Sequence, residues 1–146
     1  MTAPLTIFSE DELLFRDAVA AFANEDVRPL VAEMERNGKV DPGLIAKAFE
    51  LGLMGIEVDE PHGGAGGSLM MVAIAVEELS KVDASAAILV DVQNTLVEYP
   101  LRTYATDEQK ARYLTRLTRD TVGSYALSEA GSGSDAFALA TRAVRD

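Results

Sequence analysis

The chain has no cysteine, no tryptophan and a single histidine. Without cysteine there is neither a disulfide framework nor a thiolate metal site. A lone imidazole, His62, builds no metal cluster, and its glycine-rich surroundings mark it as a solvated turn residue; no metal is expected. Long apolar runs are missing too: the longest stretches, at 69–76 and 84–90, are too short to span a bilayer. The first residues, from Met1 to Thr6, lack the basic and apolar regions of a signal peptide and the Arg-rich pattern of a transit segment. A cytoplasmic, membrane-free protein is the simplest expectation. Basic residues are scarce, 13 Lys and Arg against 24 Asp and Glu, for a formal charge of −11. No basic patch is visible to neutralise a phosphate backbone, so no nucleic-acid partner is expected. An anionic small ligand remains compatible, because backbone N–H groups and single arginines can outweigh the global sign locally.

What the chain does contain is helical pattern over most of its length. Its 146 residues suit one domain and its apolar content of 48% is ordinary for a globular protein. Ser9 with Glu12 forms the signature of a capping box, opening a helix whose apolar residues are Leu13, Leu14, Val19 and Phe22. Val27, Leu30, Val31 and Met34 continue a second stretch past Pro29, and Asn37-Gly38 ends it. Asp41-Pro42 opens another helix, a cap followed by proline at the first position, which Gly52 stops. Four of the five residues at 63–67 are glycine, so a loop is secure there. Ser68 then caps an apolar helix reaching Val82, and 84–98 is a second one, apolar on most faces and expected to be buried. Pro100 is expected to interrupt it, and Thr106 with Gln109 opens a last, charge-rich helix to about Arg119. Arg102, Arg112, Arg116 and Arg119 read as a solvated face. Only after this do two strand-like runs appear, at 122–127 and 137–144. Helices segregated from strands along a chain imply an α domain followed by a separate β domain.

Between the two strand-like runs lies a small, hydroxyl-rich turn: Tyr125-Ala126-Leu127-Ser128-Glu129-Ala130-Gly131-Ser132-Gly133-Ser134-Asp135. Glycines allow a backbone to approach a ligand closely. Successive N–H groups in such a turn can cradle an anion, and Ser128, Ser132 and Ser134 add donor–acceptor hydroxyls. On its own, a Gly/Ser turn is more often only a turn.

The full string is more specific than its glycines. It resembles the flavin loop of the acyl-CoA dehydrogenases, Leu-Thr/Ser-Glu-Pro/Ala-Gly-x-Gly-Ser-Asp. Three further stretches agree in order and spacing: Gly52-Leu53-Met54-Gly55-Ile56 leading to Pro61-His62-Gly63-Gly64-Ala65-Gly66-Gly67; Glu77-Glu78-Leu79-Ser80-Lys81-Val82-Asp83-Ala84-Ser85; and Asp107-Glu108-Gln109-Lys110-Ala111-Arg112-Tyr113-Leu114. The resemblance spans nearly the whole chain and is closest to the short/branched-chain members.

That resemblance implies a mainly α fold class. An N-terminal helical bundle domain at 1–121 is followed by the first strands of a middle β domain at 122–146, and the family's C-terminal helical domain is absent. It implies FAD as cofactor, with Tyr125, Ala126, Leu127, Ser128, Glu129, Ala130, Gly131, Ser132, Gly133 and Ser134 lining it, and Ser134 also touching substrate. It implies an apolar acyl slot of Ile88, Leu89, Val92 and Leu96, for which ordinary core is the competing reading. It further implies an acyl-CoA substrate, an electron-transfer flavoprotein as acceptor and a homotetrameric full-length protein. The family's catalytic glutamate falls in the C-terminal domain, and no glutamate here matches its motif, so no catalytic residue is assigned and the fragment alone is expected to be inactive. Ala140 stands where lysine is common in the family. An acyl-CoA oxidase, a carrier-protein-linked dehydrogenase and a non-catalytic helical interaction module are the alternatives.

Overall fold

The computed structural model describes residues 7–145. The outermost positions of the two expected domains, 1–6 and Asp146, lie outside the described residues, as does the absence of a targeting pattern read there.

The first helical rod runs from Glu10 to Asn37 with an irregular middle. Helix α1, Glu10–Phe22, starts at the expected capping box: the Ser9 hydroxyl accepts from the Glu12 amide and the Glu12 carboxylate accepts from the Ser9 amide. A wide π turn, Ala23–Val27, and a tight 3₁₀ turn, Arg28–Leu30, then lead into α2, Val31–Asn37. The irregularity has a cause in Pro29, which has no N–H for the helical ladder. Asn24 compensates locally, its side-chain amide donating to the Ala20 carbonyl at 2.7 Å. Gly38, at φ 63°, closes α2 in the left-handed conformation that glycine adopts without steric cost. Only part of the expected α1 face is core. Val19 and Phe22 are buried, whereas Leu13 and Leu14 are exposed, because the buried stripe runs through Phe15, Val19, Phe22 and Ala23.

Helix α3, Pro42–Glu50, is capped by the Asp41 carboxylate. The segment 51–67 then folds back on itself: the amides of Ala65, Gly66 and Gly67 donate to the carbonyls of Gly55, Val58 and Ile56. This buries Leu53, Met54, Ile56 and Val58 almost completely. Helix α4, Leu69–Ser80, packs on α1 and on α5, Ala84–Asp91. The core is the shared product of these pairings, with Val72, Ala75, Leu79, Ala87 and Val90 against Val19, Phe22 and Ala23.

Pro100 does not interrupt the last long helix. After α5 the chain widens into a π segment, Val92–Glu98, and continues as α6, Tyr99–Tyr104. Proline falls in the first turn of α6, where the missing N–H costs least, and the wide segment before it absorbs the change of register. Helix α7, Asp107–Leu117, begins at the second capping box, Thr106 with Gln109. It is tied to the glycine loop by the Thr118 hydroxyl, which donates to the His62 carbonyl at 2.9 Å.

The mainly α class is observed, but the expected strands are not. Among the described residues after Thr121 there is no strand, only a single antiparallel bridge, Glu129 to Ser132. A strand is defined by a partner's hydrogen bonds, and neither 122–127 nor 137–144 finds one. Phe137 sits instead in a 3₁₀ turn, Ala136–Ala138, capped by the Asp135 carboxylate.

Candidate functional site

Helix α5 and the π segment have two unlike faces. Inward go Ala86, Ala87 and Val90, then Gln93, Asn94 and Glu98, each of these last three about 1% exposed. Outward go Ile88, 59% exposed, and Leu96, 38% exposed, with the half-buried Val92 between them. These three recur every fourth residue and form one apolar stripe. Leu89 is set apart from them and packs against the core. An apolar stripe turned away from the core is free to meet another surface.

Three inward polar side chains replace what periodicity would have filled with leucine. Asn94 accepts from the Ile56 amide and donates to the carbonyls of Leu53 and Val90, all at 2.8 Å. Gln93 donates to the carbonyls of Leu117 and Thr121 at 2.8 and 3.1 Å and accepts from the Gly123 amide at 2.8 Å. Both are buried and fully engaged, as burial of an amide requires. Glu98 differs: neither carboxyl oxygen has a hydrogen-bond partner. Burial pushes its pKa up to about 8, partly offset by Arg102 and reinforced by Glu57. Arg102, expected in the solvated face, is instead half-buried and paired with Glu57 at 3.1 Å. Arg112, Arg116 and Arg119 are exposed as expected.

The Gly/Ser loop hangs from this helix by its leading residues. A Cβ at Gly123 would collide with the Val97 side chain, so only glycine allows the chain to pass this close. Beyond it Tyr125, Ala126, Leu127 and Ser128 are exposed. Glu129 and Ser132 exchange both backbone hydrogen bonds, at 2.9 and 3.1 Å, around Ala130-Gly131. The Ser132 hydroxyl, 4% exposed as a residue, turns inward and donates to the Asp135 carbonyl. Ser128 and Ser134 keep their side chains at the surface. The Glu129 carboxylate accepts from the Ala140 and Thr141 amides at 2.7 and 3.0 Å. The Thr141 side chain first, and these two amides after it, hold its pKa below the usual carboxylate range.

Gly131 and Gly133 do not take positive φ, and a Cβ at either would meet nothing within 4 Å. Neither backbone conformation nor packing within the chain therefore demands glycine there. The space beside both glycines is open, so the backbone of this turn is accessible from outside.

Other features stay apart from these residues. His62 shares a hydrogen bond with Asp59 at 2.6 Å, and among the described residues no cluster of His, Asp or Glu could hold a metal. A cleft of about 670 Å³ between α3 and α7, lined by Ile45, Phe49, Thr115, Thr118 and Arg119, contains none of the expected cofactor or acyl residues. Among the described residues no helix is long and apolar enough to cross a membrane.

Sequence reasoning gave Gln93, Asn94 and Glu98 no role. The available signal was the spacing: positions 90, 94 and 98 continue the buried stripe of α5, and 93 lies beside it.

A family profile described as "Acyl-CoA dehydrogenase, N-terminal domain" matches residues 9–121. The probable short/branched chain specific acyl-CoA dehydrogenase of Dictyostelium discoideum is 51% identical over 97% of this chain and 34% of its own length. The mitochondrial short/branched chain specific acyl-CoA dehydrogenase of Rattus norvegicus is 46% identical over 97% of this chain and 33% of its own. The butyryl-CoA dehydrogenase structure from Megasphaera elsdenii superposes with a TM-score of 0.84 at 29% identity, over 93% of this chain and 36% of that one. The chain thus spans about a third of the length of the curated relatives it matches.

Proposed function

The chain belongs to the acyl-CoA dehydrogenase family, whose N-terminal domain it carries, and from that premise we propose that it supplies one wall of the active site of an FAD-dependent short/branched-chain acyl-CoA dehydrogenase. The observation that carries this reading is the stripe of Ile88, Val92 and Leu96, its ends exposed and its middle half-buried, on a helix whose opposite face is core. On this reading residues 1–121 are the helical domain and 122–146 the beginning of the middle domain.

Tyr125, Ala126, Leu127, Ser128, Glu129, Ala130, Gly131, Ser132, Gly133 and Ser134 would hold the FAD. Their parts differ. The exposed Ser128 and Ser134 would offer their hydroxyls to the cofactor, and Ser134 would also touch the acyl-CoA. Gly131 and Gly133 leave room for close backbone approach, while Glu129 and Ser132 fix the turn from within. FAD supplies the acceptor for a hydride from the acyl β-carbon when the α-proton is removed, giving a 2,3-enoyl-CoA.

The residues of this chain orient and exclude water. Ile88, Val92 and Leu96, with Leu89 behind them, would line the acyl group, and their branched bulk favours a short or branched chain. No residue here is given the role of base. Without the rest of the protein the 146 residues hold one wall only and should neither oxidise acyl-CoA nor retain FAD. An electron-transfer flavoprotein as acceptor, a homotetrameric assembly and a cytoplasmic location complete the proposal; fractionation of cells making a tagged full-length protein separates the last from the mitochondrial location in the rat relative's name.

Purified full-length protein should carry a yellow flavin spectrum that bleaches under anaerobic addition of a short or branched acyl-CoA. A colourless protein that binds no FAD would favour the non-catalytic helical module. Rapid reoxidation by oxygen would favour an acyl-CoA oxidase.

A further inference from the structure

Gln93 stands between the two halves of the proposed site without belonging to either. Its backbone follows Val92 in the outward stripe, yet its side chain points the other way and is about 1% exposed. There it binds three separate points of the chain that leads to the Gly/Ser loop: the Leu117 carbonyl at the end of α7, the Thr121 carbonyl, and the Gly123 amide. Both amide protons and the carbonyl oxygen are used. One turn along, the Val97 side chain occupies the space where a Cβ of Gly123 would be, so the lead-in is held by hydrogen bonds at Gln93 and by contact at Val97. Both residues lie in the π segment that also carries Val92 and Leu96.

A buried amide with every hydrogen bond made has one geometry, and a close-packed contact beside it leaves no room for slip. A movement of the π segment by a fraction of an ångström is therefore passed to Gly123, two residues before Tyr125. We propose that Gln93 is a positioning residue that makes the acyl-facing stripe and the flavin loop one rigid unit, so that what fills the acyl slot sets where the loop presents its groups. This rests on the reading of the site given above. Here one side chain, rooted in the segment that carries the stripe, holds the stem of the loop.

Two variants of the full-length protein test this from opposite sides. Gln93→Met keeps volume and removes all three hydrogen bonds; Gly123→Ala keeps Gln93 and spoils the contact with Val97. In each, the FAD dissociation constant should rise roughly tenfold, the worth of one to two hydrogen bonds, and the ratio of kcat/KM between short and long acyl-CoA should shift as well. Leu44→Ala, a core change on α3, serves as control and should lower thermal stability with both ratios unchanged. Changes under twofold in both variants, or equal changes in the control, overturn the proposal. A second readout is independent of flavin: in ¹³C,¹⁵N-labelled protein, Gln93→Met should shift the amides of the 125–134 loop, and Gly123→Ala the methyls of Ile88, Val92 and Leu96. Methyls unmoved by Gly123→Ala overturn the coupling even if flavin is bound. A flavin-free protein in which they do move sinks the proposed function and leaves the coupling supported.

Discussion

Arg102 gives its guanidinium to Glu57, 3.1 Å away, and leaves the buried Glu98 one helical turn back without a hydrogen bond. An ionised carboxylate in that position would be a buried charge with its nearest cation already committed. The protonated form is favoured, and burial holds the pKa near 8 against an ordinary 4.5. A carboxyl that ionises less readily when folded leaves stability intact below its unfolded pKa and erodes it as pH climbs to the folded one. Stability should therefore fall between pH 4.5 and about 8.

Glu98→Gln should remove that slope. The variant should match the parent near pH 4.5 and exceed it at pH 8 by on the order of a few kcal/mol. Urea denaturation across this range reads it directly. Parallel curves for the two proteins would show that Glu98 is ionised at no cost.

Asn94 carries the opposite expectation. Its side chain alone satisfies the Ile56 amide and reaches the Leu53 carbonyl, both in the buried 51–58 segment. Asn94→Leu keeps size but strands these groups, each worth about 1–3 kcal/mol when buried and unpaired. A loss of about 3 kcal/mol or more in chemical denaturation is expected. A loss under 1 kcal/mol would mean that water or a shifted backbone replaces the amide.

Ser128 offers its hydroxyl outward while Ser132 spends its own on Asp135. In the full-length protein Ser128→Ala should weaken FAD binding by one hydrogen bond, roughly 0.5–1.5 kcal/mol. Ser132→Ala should instead loosen the turn and reduce the protection of the Phe137 and Ala138 amides. An unchanged FAD dissociation constant in Ser128→Ala would show that this hydroxyl serves no cofactor.

What could be read from the residues depended on the range of the interaction. Caps are local, so Ser9, Asp41 and Thr106 were legible with their partners, and Gly38 as a stop. The prolines were less so. Pro100 reads as a break and Pro29 as a point the helix passes, yet the chain absorbs both in widened or tightened turns. The polar core was hidden because Gln93, Asn94 and Glu98 interrupt an apolar pattern, and the partners of the two amides lie up to about forty positions away. The runs at 122–127 and 137–144 have the composition of strands, yet pairing is not a property of one segment. The candidate site was half legible: its residue types follow from the motif, and the outward turn of Ile88 and Leu96 needed the fold.

That outward turn separates the two readings of the α5 stripe. In the 146-residue chain Ile88→Ala and Leu96→Ala should each cost little stability, about 1 kcal/mol or less, because 59% and 38% of these residues are exposed and no cavity is opened. Val90→Ala, on the buried face of the same helix, should cost about 1–3 kcal/mol. In the full-length protein the first two variants lengthen the proposed slot and should move preference toward longer acyl chains. A methylene in an apolar pocket is worth about 1–3 kcal/mol of discrimination, so kcat/KM ratios across a chain-length series should change at least severalfold. Large stability losses in the short chain with an unaltered chain-length profile would return Ile88 and Leu96 to the core and remove the acyl wall from this helix.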